Sequence, residues 1–347
     1  MPSNGIRKWA KEKAQDLLNE AQDRVSESDA VMKVKSFFND DTSTTRPLTT
    51  ITNTRTSTTS ASATPSVPSE PTFDGCAWNV PAAGKFKFEK EYIFENGIPE
   101  GLQASRYIVE GSYKGAPYDY RFESKNVYTD HLGFLNLKVP GVQYAQPWSG
   151  QTISSAEVTT SFNNILHASV WTKAIFSTVP GTCHGERFQA TTCAIDRANL
   201  LTAGIFFYKN DQQETDIEYL TDRESLGNNI NTTTRDYSNP IPIWYSNQAV
   251  TQGAKATQEI GPPPWDVTAV HEYRIDWTKQ FTAFYLDGNL QKRYTTNIPT
   301  VPGYWIWNNW ANGDKAWSSG PPKEDNIFKI LSITMYYNTA EENADGC

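Results

Sequence analysis

At 347 residues the chain is long enough for one large domain with appendages, or for two ordinary domains. Its net charge of −8, without a basic stripe interleaved with aromatic residues, argues against a nucleic-acid partner. No apolar run reaches the length of about 18 residues that a transmembrane helix needs, so no membrane span is expected.

From the N-terminus, residues 5–37 are rich in Lys, Glu, Asp and Ala, with Trp9, Leu17, Leu18, Ala21 and Val25 at roughly helical spacing. This pattern predicts an amphipathic helix, read as a solvated appendage over residues 1–40. Met1 does not open a secretory signal, whereas Met32-Lys33-Val34-Lys35-Ser36-Phe37-Phe38 looks like the opening of one whose apolar middle is missing. A mis-assigned start of the gene model is the alternative for this region. Residues 41–71 are dominated by Thr and Ser with scattered Pro, which cannot build a core and matches an O-glycosylated linker. An Asn-x-Thr sequon at Asn231, in a polar segment suited to a surface loop, adds to the case for an extracellular or cell-wall location.

From residue 72 to 347 the character changes to short aromatic or β-branched runs separated by turn signals. Strands are predicted at Gly133–Val139, Glu157–Phe162, His271–Trp277, Phe281–Leu286 and Phe328–Tyr337. The second pair of these forms a hairpin around Thr278-Lys279-Gln280, and Asp287-Gly288 makes the next turn. Many strands without long helical patterns predict an all-β fold, a sandwich or jelly roll. The four cysteines, Cys76, Cys183, Cys193 and Cys347, form no metal-binding spacing. An even count fits disulfides; three pairings are open, and a Cys76–Cys347 clasp would close the longest loop.

Residues 214–218 read Glu-Thr-Asp-Ile-Glu. In a strand, Glu214, Asp216 and Glu218 point to one face. Like charges in such a row are destabilising, yet the flanks Gly204-Ile205-Phe206-Phe207-Tyr208 and Tyr219-Leu220 are those of a buried strand. The bland reading is a calcium- or lysine-facing surface. The functional one is a catalytic site, because paired carboxylates are the usual means of cleaving glycosidic bonds. The 11 Trp and 17 Tyr suit an all-β core and equally suit stacking on sugars.

Three segments together resemble glycoside hydrolase family 16, the concanavalin A-like glucanases, and within it the fungal members. Glu214-Thr215-Asp216-Ile217-Glu218 resembles the family's Glu-x-Asp-x-Glu signature. His271-x-Tyr273-x-Ile275-x-Trp277 with Phe284-Tyr285-Leu286-Asp287-Gly288 resembles its His-Tyr-Trp strand and Tyr-x-Asp-Gly turn. Trp307-Asn308-Asn309-Trp310-Ala311-Asn312-Gly313 is similar to its aromatic cleft segment. The resemblance covers about residues 72–339. It implies a β-jelly roll of two curved antiparallel sheets with a sugar cleft on the concave face.

On that resemblance Glu214 is the nucleophile, Glu218 the general acid/base, and Asp216 modulates the pair. The outer Cα atoms of the row are about 13 Å apart. Both glutamates must therefore lean inward to reach the roughly 5 to 5.5 Å carboxyl separation of a retaining enzyme. Trp310, Asn308, Trp307 and Trp171 are the expected substrate-binding residues, Trp171 standing where many relatives carry Arg. His271 reads as a structural residue. No cofactor is expected and a structural calcium is not indicated. The implied activity is retaining endo-β-glucan hydrolysis of β-1,3- or mixed β-1,3/1,4-linked β-glucan polysaccharide by a monomer. A cell-wall transglycosylase with the same residues and a non-catalytic carbohydrate-binding protein on the same fold are the alternatives.

One departure stands out. Relatives run directly from a Gly-Thr-Cys-His-Gly turn into the strand before the acids, whereas here about twenty residues, 185–204, intervene. Gly185-Glu186-Arg187 and Leu201-Thr202-Ala203-Gly204 can be encoded by splice-donor-like and branch-site-like sequences, so the segment reads as a translated intron.

Overall fold

Alternation decides the architecture. Thr215, Ile217 and Tyr219 on one strand, and Tyr273, Ile275 and Trp277 on another, send every second side chain into one apolar layer. Two sheets close over that layer. The computed structural model describes residues 70–111, 115–184, 204–228 and 240–347. The expected N-terminal helix, the Ser/Thr-rich linker up to residue 69, Asn231, Cys193 and the intron-like segment up to residue 203 lie outside the described residues.

The first large sheet has, in spatial order, β16 (Thr257–Gly261), β15 (Ile243–Asn247), β14 (Gln213–Leu220), β13 (Ile205–Asn210), β20 (Tyr304–Asn309), β10 (Thr152–Thr160), β7 (Asp119–Phe122) and β6 (Ile108–Val109). Short β12 (Cys183–His184) also pairs with β14, and β5 (Leu102–Ala104) with β10. The second runs β19 (Asn289–Tyr294), β18 (Thr282–Leu286), β17 (His271–Trp277), β11 (Ile165–Ile175), β21 (Asn326–Thr339), β9 (Leu135–Val139) and β8 (Val127–Thr129), with β4 (Phe88–Ile93) also on β21. Pairing is antiparallel except between β10 and β7. This is the expected β-jelly-roll sandwich.

Residues of both sheets meet in the main core. Phe207 of β13 lies 3.9 Å, centroid to centroid, from Trp277 of β17. Phe176, just past β11, stacks on Tyr219 at 4.9 Å and touches Tyr273 at 4.6 Å. Full burial of side chains of this size contributes about 1.5–3 kcal/mol each. The predicted hairpin is present: Thr278 N–H donates to the Phe281 carbonyl at 2.9 Å. The Asp287-Gly288 turn follows with φ of 49° and 73°, the left-handed pair that a two-residue hairpin loop requires.

A small third sheet, β1 (Thr72–Phe73), β2 (Trp78–Val80) and β3 (Gly84–Phe86), covers part of the outer face of the second large sheet. Val80 and Phe86 bury against Tyr336. The sheet is tied down by a Cys76–Cys347 disulfide and by Lys85, whose Nζ donates to Asp74 Oδ2 and to the Cys347 carbonyl, both at 2.9 Å. Of the three pairings the sequence leaves open, the one closing the longest loop includes this bridge. It spans 271 positions, so chain-entropy arguments give it a large effect on the unfolded state. Replacing both cysteines by Ser is expected to lower unfolding free energy by about 2–5 kcal/mol. Urea titration checks this, and an unchanged midpoint would show the clasp carries no weight.

Candidate active site

Strand β14 has two unlike faces. Ile217 and Tyr219 enter the inter-sheet core. Glu214, Asp216 and Glu218 therefore share the opposite face, as the sequence predicts. Two neighbours fix that register: Tyr208 and Phe206 of β13 stand opposite Glu214 and Asp216, while Ser246 and Trp244 of β15 stand opposite Asp216 and Glu218. The β13–β14 hairpin turns through Asp211-Gln212, where Asn210 Oδ1 accepts the Gln212 N–H at 3.0 Å.

The acids are buried, with Glu214 and Glu218 1% exposed and Asp216 0%. The open cleft expected from the sequence is not what surrounds these atoms. Burial pushes the Asp216 carboxyl up to about 7; the side chains of Ser246, Glu214, Gln248 and Glu218 facing it act in the opposite sense. Gln248 Nε2 donates to Asp216 Oδ2 at 3.4 Å. Burial thus favours the uncharged form of Asp216 and works against three charges standing together in the row. Trp317 Nε1 donates to Glu218 Oε1 at 3.1 Å, and its ring lies 5.3 Å from that of Trp244.

A fourth carboxylate belongs to the same face. Gly204 N–H donates to Asn308 Oδ1 at 2.9 Å, and Asn308 Nδ2 donates to Glu157 Oε2 at 3.1 Å. Ser105 and Tyr107 hydroxyls donate to Glu157 Oε1 at 2.6 and 2.8 Å. Asn308 of β20 pairs directly with Glu157 of β10, so the two share a sheet face. Burial raises the Glu157 carboxyl to about 7, against the hydrogen bonds from Ser105, Asn308 and Tyr107.

The predicted binding residues divide. Asn308 lies on the acid face, but its amide is engaged by Gly204 and Glu157. Trp310 follows on the same face, buried and stacked on Tyr120 at 4.8 Å. Trp307 is a correction: it points into the inter-sheet core, and its Nε1 donates to Thr172 Oγ1 at 3.0 Å. Trp171 is another. It lies on the outer face of the second sheet, where Arg274 stacks on its ring at 4.6 Å and its Nε1 donates to Ser169 Oγ at 2.8 Å. His271 is structural as read: Nδ1 meets Asp287 Oδ2 and Nε2 meets the Asp266 carbonyl, both at 2.7 Å. Trp244, Trp317 and Glu157 are the residues that sequence reasoning missed. Trp244 becomes visible once β14 and β15 are paired; the other two come from distant segments. Among the described residues no group of three or more His, Cys, Asp or Glu side chains is arranged to hold a metal ion.

No family model matches the chain. A β-glucanase from Paenibacillus polymyxa is 39% identical over 51 residues, which are 14% of this chain and 21% of that protein. The chain thus spans about a fifth of the length of that curated relative. Among solved structures, the catalytic domain of an endo-1,3-β-glucanase (laminarinase) from Thermotoga petrophila superposes with a TM-score of 0.51 at 14% identity, over 72% of this chain and 97% of that one. The laminarinase catalytic domain of Thermotoga maritima gives the same four values. At these identities the likeness establishes the fold: the described sandwich has the architecture of the β-glucanase jelly rolls.

The buried acids and a buried histidine set opposite pH trends. Glu157 and Asp216 hold protons more tightly folded than unfolded, so their contribution is full below their ordinary values near 4 and is lost as pH rises through about 7. His184, lowered by burial to about 4, contributes stability above its ordinary value near 6.5 and loses it as pH falls toward 4. Between about pH 4.5 and 7, where both carboxyls are protonated in the folded chain and ionised in the unfolded one, they outweigh the single histidine, and unfolding free energy is expected to fall as pH rises. The limiting slope is about 1.4 kcal/mol per pH unit for each proton. Denaturant titrations across that range should show a shallower slope in Glu157→Gln; equal slopes would remove Glu157 from the linkage.

Proposed function

We propose that this chain is a retaining endo-β-glucanase of the glycoside hydrolase family 16 kind, acting on β-1,3- or mixed β-1,3/1,4-linked glucan. The observation that carries the reading is the shared face of Glu214, Asp216 and Glu218 on β14. The jelly-roll fold and the 51-residue match to a β-glucanase support it.

In this reading Glu214 attacks the anomeric carbon as a carboxylate, while Glu218 delivers its proton to the departing glycosidic oxygen. The bond to the leaving sugar breaks as the bond to Glu214 forms. Glu218, now a carboxylate, takes a proton from water, whose oxygen displaces Glu214 and restores the β configuration. When Asp216 is ionised, its charge raises the proton affinity of the neighbouring Glu218, which favours a protonated Glu218 before the first step. The Trp317 indole fixes one Glu218 oxygen and so orients the carboxyl that must meet the leaving oxygen. A sugar cannot reach carboxyls that are at most 1% exposed, so binding requires the surroundings of the row to open. The disulfide and the Ser/Thr-rich segment agree with a secreted or cell-wall protein.

Digestion of laminarin and lichenan, with product sizes recorded and anomeric configuration followed by NMR, tests the reaction. Glu214→Gln and Glu218→Gln are expected to lower kcat by at least about 10³-fold. A 2-fluoro glucoside with a good leaving group should label the peptide carrying Glu214. Inverted products, or turnover that survives Glu214→Gln, would defeat the mechanism. Products longer than the substrate in the presence of an acceptor oligosaccharide would move the assignment to a transglycosylase. Glycan binding without turnover would make the chain a binding protein.

A further inference from the structure

An opening lies away from the acid row. Where β14 and β11 end and β17 begins, a cavity of about 650 Å³ is walled by Trp265, Pro263, Pro264 and Tyr219 and rimmed by polar side chains. Tyr219 belongs to the core-facing side of β14, opposite the acids, so the cavity opens at the end of the sandwich and is a separate site. Its volume lies within the range of small-molecule sites.

Trp265 is 71% exposed, and the turn that follows it is held by several hydrogen bonds. The Asp266 carbonyl meets His271 Nε2 at 2.7 Å and accepts the Ala269 N–H at 3.1 Å. Asp266 Oδ1 accepts from the Thr268 N–H at 2.9 Å and hydroxyl at 2.6 Å. His271 also packs edge-on against the Trp265 ring, with centroids 6.2 Å apart and planes at 84°. Burial alone would weaken the proton affinity of His271. The Asp287 carboxylate, with the Asp266 carbonyl, outweighs it and raises the histidine above its ordinary value. An exposed indole on so fixed a turn is arranged to meet a ligand.

The chemistry of the rim selects the ligand. Asp222, Glu224 and Asp266 outnumber Arg223, which disfavours anions. Carboxylates and a guanidinium together supply acceptors and donors for hydroxyl groups, and an indole face suits the C–H face of a pyranose. We propose that this cavity is an accessory binding site for a neutral glucan chain, with Trp265 as its stacking platform. The choice of glucan rests on the function proposed above; the site itself rests on Trp265 and the rim.

Native electrophoresis through gels containing laminarin or lichenan tests it, with Glu214→Gln in every protein so that the polysaccharide survives. Glu214→Gln alone is expected to be retarded. Adding Trp265→Ala should weaken that retardation several-fold, and adding Trp265→Phe should preserve part of it. Trp265 is exposed, so neither change threatens folding. Equal retardation of all three proteins by both polysaccharides, or no retardation of any, would overturn the site. Trp265-dependent retardation in a chain that hydrolyses no glucan supports the site and defeats the hydrolase reading. Hydrolysis with Trp265-independent retardation does the reverse.

Discussion

Everything at the acid face depends on the register of β14. Its side chains alternate between an apolar layer and a carboxyl row, so a slip of one residue would send Glu214, Asp216 and Glu218 into the core and Ile217 and Tyr219 out of it. Such a slip would strand three acids among aromatic rings, a cost of several kcal/mol for each charge left unpaired. The apolar residues of β14 thus hold the acids in place by being unable to exchange with them. β13 and β15 secure the arrangement from both sides.

The same burial that defines the row also governs its protonation. Water would keep three carboxylates charged; a dry environment does not. Asp216 responds by holding its proton to about 7, and Glu157, on the same sheet face, does likewise. Glu157 is tied through Asn308 to Gly204, which precedes β13, the neighbour of the acid strand. A line of hydrogen bonds therefore joins β10 and β20 to the edge of the site, and it gives the face a rigidity that the acids alone would not provide.

Much of this was legible in the sequence because alternation is local. The shared face of the three acids, the hairpin around Lys279 and the Asp287-Gly288 turn all follow from neighbouring residues. Alternation would also have excluded Trp307, since it adjoins Asn308 in one strand and the two must point to opposite faces. Trp171 could not be placed that way: its face depends on which sheet β11 joins and on what packs outside it. Trp317 reaches Glu218 across 99 positions, and Glu157 meets Asn308 across 151. Contacts that distant leave no periodic trace. Nor does spacing reveal that the row is covered, because enclosure is set by segments that the strand itself does not contain.

The link between Cys76 and Cys347 has a topological consequence. It turns the backbone between those positions into a covalent ring. A protease that nicks any one surface loop of the sandwich linearises this ring without releasing a fragment. Both pieces stay joined through sulfur, and their sheets can re-pair without finding each other by diffusion. A chain closed in this way would outlast its first cut.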